Sequence, residues 1–162
     1  MKYQAIFIAL TILAITGCTS ENATNKEIQD MTYQIINDGR LELIDRHFAP
    51  DFVQHNAAHG DIRGTEAVKK MITSLRTAIP DLRITIHDMV MEGDTVAIRH
   101  TMSGTYQNPF TIRGIRSIPS GQKMEMSGMI FWRFRDGKVI EEYSNGDHLG
   151  FLIQVGAIKA RE

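Results

Sequence analysis

The feature that most constrains this chain is a change in the spacing of apolar residues at Pro80. Before Pro80 they recur at intervals of three and four, as on one face of a helix: Val68, Met71, Ile72, Leu75 and Ile79. After Pro80, apolar and polar residues alternate along 82–87 and again along 96–102, with Gly93 between the two runs. Alternation of this kind is typical of strands. The sequence therefore predicts a helix followed directly by an antiparallel hairpin.

The N-terminal part of the predicted domain is helical. Thr24 and Glu27 form a potential capping box for a first helix, which we expect to end at Gly39. Residues 40–48 predict a second, short helix, and residues 56–64 are rich in Gly, Asn and Asp, which favours a loop.

The C-terminal part repeats the strand pattern. Residues 122–134 and 138–145 predict two strands, and Asp136-Gly137 between them is a strong hairpin-turn signal. Residues 147–157 predict a closing helix. Helices first, then antiparallel strands and one last helix indicate an α+β domain.

Composition limits the classes of function. The 162 residues are 43% apolar, which suits one domain with a substantial core, and the formal net charge is −1. The basic residues are scattered rather than clustered with aromatic residues. We therefore expect no nucleic-acid binding.

The N-terminus indicates export. Lys2 precedes an apolar run over 5–15, which is typical of a signal peptide and shorter than the ~20 residues of a membrane-spanning helix. Ile15-Thr16-Gly17-Cys18 resembles the lipobox of bacterial lipoproteins, which implies that residues 1–17 are a signal peptide and that Cys18 is lipidated. Residues 18–25 would be a polar tether to a membrane of the cell envelope, on its periplasmic or outer surface. The alternative is a free thiol in an ordinary signal peptide.

Several segments carry a resemblance to one family. They are FAPDFVQH at 48–55, AIPDL at 78–82, EGDTVAIR at 92–99, IPSG at 118–121, FRDGKV at 134–139, and EEY at 141–143 with Asp147 and Gly150. In order and spacing, the region 27–157 resembles the SnoaL-like polyketide cyclases, also called ester cyclases. This resemblance implies a domain over 26–162 with a cone-shaped, nuclear transport factor 2-like fold. In that fold a curved antiparallel sheet wraps around N-terminal helices and leaves an apolar pocket.

The resemblance implies a catalytic acid/base at Asp147, in a reaction that needs no cofactor. The alternative is that Asp147 caps the last helix, because Asp directly before a helix is a preferred N-cap. Tyr143 and Asn145 share strand parity with Asp147, so that face is a candidate for the substrate pocket. Tyr143 stands where the family commonly has Trp.

Other candidate site residues lie on the strands. His100 interrupts an apolar stripe that includes Met102. It is either a catalytic pocket residue that orients a substrate oxygen or partners Asp147, or a buried structural histidine. The resemblance places His55 at the pocket mouth, where its alternative role is to pin the loop. Trp132 alternates with Phe131, and one of these two aromatic residues faces the pocket or core. His55 and His59 could share a metal only on a helix, which Gly60 disfavours, so we expect no metal.

Two functions remain open. The first is an enzyme that binds a small apolar carbonyl or ester compound and performs aldol-type cyclisation or isomerisation by acid/base chemistry. The second is a non-catalytic envelope lipoprotein that binds a lipid-like or aromatic ligand or a protein partner. The resemblance also implies a homodimer formed through the open sheet. Residues 108–116 are longer than in the family pattern, and we expect this loop to rim the pocket.

Overall fold

The computed structural model describes residues 17–56, 60–112, 115–116 and 118–159, with 17–23 as backbone only. Four helices and eight strands lie in these ranges: α1 Gly17–Ile36, α2 Glu42–His47, β1 Phe48–Asn56, β2 Ile62–Arg63, α3 Thr65–Ala78, β3 Arg83–Glu92, β4 Thr95–Thr105, β5 Thr111–Ile112, β6 Ile115–Arg116, β7 Lys123–Arg135, β8 Lys138–Gly146 and α4 His148–Gln154. The α+β prediction is confirmed.

The main sheet has the strand order β2-β1-β8-β7-β4-β3. Every neighbouring pair is antiparallel except β1 and β8, which run parallel. The expectation of a wholly antiparallel sheet is therefore wrong at this one pair. β1 and β8 are separated by most of the chain, so no hairpin sets their relative direction, and the long connection permits parallel pairing.

The two long hairpins follow the sequence pattern. In β4 and β7 the even-numbered residues point inward, so that Val96 pairs with Trp132 on the buried face. Asp136 and Gly137 join β7 to β8 with φ angles of 51° and 73°. Positive φ at both central residues is the turn geometry that matches the twist of a hairpin.

The N-terminal helix begins earlier than predicted. α1 starts at Gly17, so residues 18–25 are helical rather than an irregular tether, and Thr24 is inside the helix rather than its cap. Buried Ile28, Met31 and Ile35 hold the C-terminal half against the core. Once that half is formed, each added turn costs little, because helix extension is far easier than nucleation.

The predicted leader lies mostly outside the described residues. The structure does not describe 1–16, nor the side chain of Cys18. Within the described part of the chain, no helix is both long and apolar to the degree that crossing a bilayer requires.

Two hydrophobic clusters fill the space between the helices and the sheet. One joins α1, α2 and α3 to the strands around Val96 and Trp132. The other joins the end of α3, Tyr106 and α4 around Phe151. A cavity remains between the clusters, on the concave face of the sheet.

Candidate active site

The cavity is bounded by α1, α3, α4 and the inward faces of β1, β4, β7 and β8, and its volume is about 160 Å³. Most of its lining is aliphatic, aromatic or methionine. The polar residues that line it are Thr32, Gln54, Asn56, His100, Glu142, Ser144, Asn145 and His148. Phe110, from the longer loop, also lines it, as expected for a segment that rims the pocket.

Glu142 places a carboxyl group inside this apolar cavity. It is only 7% exposed. Trp132 donates from Nε1 to its Oε2 at 2.7 Å, and Gln54 donates from Nε2 to its Oε1 at 2.5 Å. Burial raises the pKa of Glu142, and hydrogen bonds from Trp132, Gln54 and Ser144 oppose that rise only in part. A carboxyl with a raised pKa and fixed orientation is suited to proton transfer near neutral pH.

The strand geometry explains why Glu142 is inside. β8 lies between β1 and β7, so both of its edges are paired, and one of its faces is directed to the helices. Two consecutive glutamates on such a strand must point to opposite faces. Glu141 points outward, where it accepts from Arg133, and Glu142 points inward. Glu142 was not predicted as a site residue from the sequence. The signal for it is the Glu141-Glu142 pair within a predicted strand, since one of two consecutive glutamates must point inward.

His100 faces the same cavity from β4. It is 5% exposed, and its Nδ1 has no hydrogen-bond partner among the described residues. Burial, with a smaller contribution from the charge of His87, lowers the pKa of His100 to about 4. His100 is therefore neutral at pH 7, and its ring can donate one hydrogen bond and accept another.

Asp147 does not line the cavity. It is exposed, and its Oδ1 accepts from the backbone N–H of Gly150 at 2.8 Å, as the N-cap of α4. The geometry therefore corresponds to the capping alternative and not to the acid/base role that the resemblance implied.

His55 and Tyr143 lie on the outer face of the sheet, so the expected pocket positions of both residues are wrong. Their rings stack with centroids 4.6 Å apart. His55 also contacts Asp61 at 2.9 Å and Glu141 at 3.2 Å, and these contacts raise its pKa, the Asp61 bond contributing most. The cause is strand parity: Gln54 and Glu142 point inward, so their chain neighbours His55 and Tyr143 must point outward.

The remaining pocket candidates do line the cavity. His100, Met102 and Trp132 contribute side chains to it, and Asn145 contributes to it although the residue is exposed overall. Among the described residues no group of three or more His, Cys, Asp or Glu could hold a metal ion. His59 lies outside the described residues.

Sequence comparison assigns the domain. A family model described as SnoaL-like polyketide cyclase matches residues 26–155. This chain belongs to the SnoaL-like polyketide cyclase family. The SnoaL-like domain thus covers α1 from Lys26 onward, the whole sheet and α4. No curated protein matches the chain by sequence.

Solved structures support the same assignment for this SnoaL-like protein. It is 26% identical to AclR, a candidate hydroxylase from Streptomyces galilaeus, with a TM-score of 0.73 and coverage of 86% of this chain and 85% of AclR. It is 27% identical to IdmH, a candidate polyketide cyclase from Streptomyces antibioticus. The TM-score is 0.67, and the match covers 81% of this chain and 97% of IdmH.

A third structure bears on the fold alone. It is a protein with a ketosteroid isomerase-like fold from Catenulispora acidiphila, 18% identical, with a TM-score of 0.66 and coverage of 80% of this chain and 92% of the other. The predicted nuclear transport factor 2-like architecture is therefore confirmed, and the SnoaL-like chain carries a cyclase-type domain.

Gly128 sets the position of His100 in the SnoaL-like cavity. The two residues pair across β4 and β7, and a Cβ added at Gly128 would lie 2.8 Å from Cε1 of His100 and 2.9 Å from the carbonyl oxygen of Asn145. We expect Gly128→Ala to displace the imidazole ring and to destabilise the fold by about 1–3 kcal/mol, as overpacking does. Urea unfolding and the His100 ring resonances would measure both effects. An unchanged unfolding free energy with unchanged resonances would contradict this prediction.

Proposed function

We propose that this protein is a cofactor-independent acid/base enzyme that transfers protons on a small, uncharged, apolar carbonyl or ester compound. The observation that carries the proposal is the buried carboxyl of Glu142 in a mostly apolar cavity. Glu142 is the proposed acid/base, in place of Asp147. The cyclase-type family supports the reaction class.

The reaction begins with proton abstraction. The Glu142 carboxylate takes a proton from the carbon next to the substrate carbonyl, so the C–H bond breaks, an O–H bond forms on Glu142, and the electron pair moves into an enolate. Return of the proton to another carbon gives isomerisation. Attack of the enolate on a second carbonyl of the same molecule, with protonation of the new alkoxide by Glu142, gives aldol ring closure. Both routes balance without an oxidant or a metal.

A binding protein without catalysis is the second candidate. It is favoured by Asp147, which is directed onto a backbone amide rather than into the cavity. In that case the cavity would hold a lipid-like or aromatic ligand, and Glu142 would serve only to orient it.

Hydrogen exchange at carbon distinguishes these candidates without knowledge of the natural substrate. Acetophenone in D₂O is the probe, and NMR follows loss of its methyl proton signal. An enzyme of the proposed type gives saturable exchange faster than buffer alone. If acetophenone binds but the full chain gives no acceleration at any pH from 5 to 9, catalysis on carbonyl compounds is excluded and binding remains.

We also propose that the protein is attached to a cell-envelope membrane through lipid on Cys18. A single acyl chain gives only marginal binding, so stable anchoring depends on the several chains that lipobox processing adds. We expect Cys18→Ala to move the full chain from the membrane fraction to the soluble fraction of a bacterial host. Asn22→Ala is the matched control and should stay with the membrane. Equal partitioning of the two variants would contradict lipidation.

A second copy of the chain is the proposed partner for the outer face of the sheet. Val90, Ala97, Phe131 and Tyr143 pair in one row across four strands, and Phe131 is 48% exposed. We expect Phe131→Glu to convert a dimer to a monomer in light scattering, because charge in an apolar interface is costly. Ile118→Glu, at an exposed position outside these strands, is the control. A wild-type monomer at micromolar concentration would contradict the proposal.

A further inference from the structure

Two of the buried polar atoms in the cavity have no hydrogen-bond partner among the described residues. They are Oε1 of Gln54 and Nδ1 of His100, on residues that are 6% and 5% exposed. Both side chains line the cavity. A buried polar atom without a partner is unfavourable, so a bound molecule that supplies the missing hydrogen bonds is favoured. The end torsions of Gln and His side chains are broad, which allows either group to turn toward a ligand.

The two residues lie on strands that are not neighbours, and their rows are offset along the sheet. Gln54 pairs with Glu142 across β1 and β8, whereas His100 lies in the row of Gly128 and Gly146. Glu142 and Gly146 are four residues apart on β8, which corresponds to about 13 Å along a strand. β8 and β7 also lie between β1 and β4 in the sheet, so a ligand that bonds to both atoms must extend across the cavity. One aromatic ring with polar groups at opposite positions has this extended shape.

The rest of the lining restricts charge and size. Among the described residues that line the cavity there is no Lys or Arg, and Glu142 would repel an anion. A cavity of about 160 Å³ is close to the engineered cavity of about 150 Å³ that binds benzene. One ring with small substituents fits, whereas a fused polycyclic compound would require the cavity to open.

We propose that the ligand is an uncharged one-ring compound with an enolisable carbonyl group at one end and a hydroxyl group at the other. The carbonyl end lies beside Glu142. When Glu142 returns the abstracted proton to the enolate oxygen, its O–H bond breaks, an enol O–H forms, and this hydroxyl donates a hydrogen bond to Oε1 of Gln54. The distant hydroxyl group bonds to His100. This assignment of substrate class rests on the proposed function of Glu142, but ligand binding tests it without turnover.

The test compares 4-hydroxyacetophenone with acetophenone by calorimetry on the full chain. In the wild type, the added hydroxyl should tighten binding by about 3- to 10-fold, the effect of one hydrogen bond. His100→Phe keeps a ring in place but removes both nitrogens, so the preference should disappear. His87→Phe is the matched control and should keep it, because His87 is exposed and bonds to Thr101. 3-Hydroxyacetophenone and the 4-acetylbenzoate anion should show no gain.

The outcomes separate this inference from the proposed enzyme activity. No preference for 4-hydroxyacetophenone, equal preference in His100→Phe, or tight binding of the anion would each overturn the ligand class, even if acetophenone still exchanges its protons. A His100-dependent preference without any exchange would support the ligand class and reject catalysis. If His100→Phe does not fold, His100→Met, which also removes both nitrogens, and the para-to-meta comparison in the wild type replace it.

Discussion

Replacement of Glu142 by glutamine is expected to slow carbon-bound proton exchange of acetophenone by at least about 100-fold, the usual contribution of one acid/base group. Glutamine has the same shape and can still accept the hydrogen bond from Trp132 through its amide oxygen. It cannot take a proton from carbon. The variant should therefore bind acetophenone with little change while its exchange rate falls toward that of buffer.

Two matched variants make this result specific. Glu141→Gln changes the neighbouring carboxyl on the outer face of the same strand, and Asp147→Asn keeps a good N-cap on α4. Both should retain exchange close to the wild-type rate. If Asp147→Asn lost the activity and Glu142→Gln kept it, the acid/base would be the residue that the family resemblance implied, and our assignment would be wrong.

The sequence predicted the fold because its signals are local and repeated. The change of spacing at Pro80, the two hairpins and the Asp136-Gly137 turn depend on residues close in the chain, and the structure contains all of them. The parallel pairing of β1 with β8 was not predicted, because it joins segments about 90 positions apart that share no turn. The early start of α1 was not predicted because residues 19–25 are mostly polar and have no spaced apolar residues that would indicate a helix.

The site was harder to predict, because side-chain direction on a strand depends on the face that is buried. Tyr143, Asn145 and Asp147 share parity, and the resemblance to the family favoured that set. In the structure Glu142 and Ser144 face the cavity, whereas Tyr143 faces outward and Asp147 caps α4. Of the predicted set, Asn145 alone lines the described cavity. His100 was identified because it breaks an apolar stripe on one face of β4. Gln54 was missed because its neighbour His55 matched the family pattern.

His100 is expected to make the fold less stable as the pH falls from 6.5 to 4. Burial lowers its pKa to about 4 in the folded state, from 6.5 for a histidine exposed to water. Between these values the unfolded chain binds more protons, so acid favours unfolding. The full difference corresponds to about 3 kcal/mol in the free energy of unfolding. The loss begins as the pH drops below 6.5 and is complete near pH 4.

Glu142 acts in the opposite direction, because burial raises its pKa in the folded state. The folded protein takes up its proton more readily than the unfolded chain, so this group contributes stability at acid pH that is lost as the pH rises through the folded pKa. The two shifts therefore oppose each other in the wild type.

The contribution of His100 to the pH dependence can be measured in a background without the Glu142 carboxyl. Urea unfolding at pH 7 and pH 4.5 compares Glu142→Gln with the double variant Glu142→Gln, His100→Gln. The single variant should lose more stability in acid than the double variant. Equal losses would mean that His100 titrates normally, in which case it is reached by water and cannot be the shielded partner of a ligand hydroxyl.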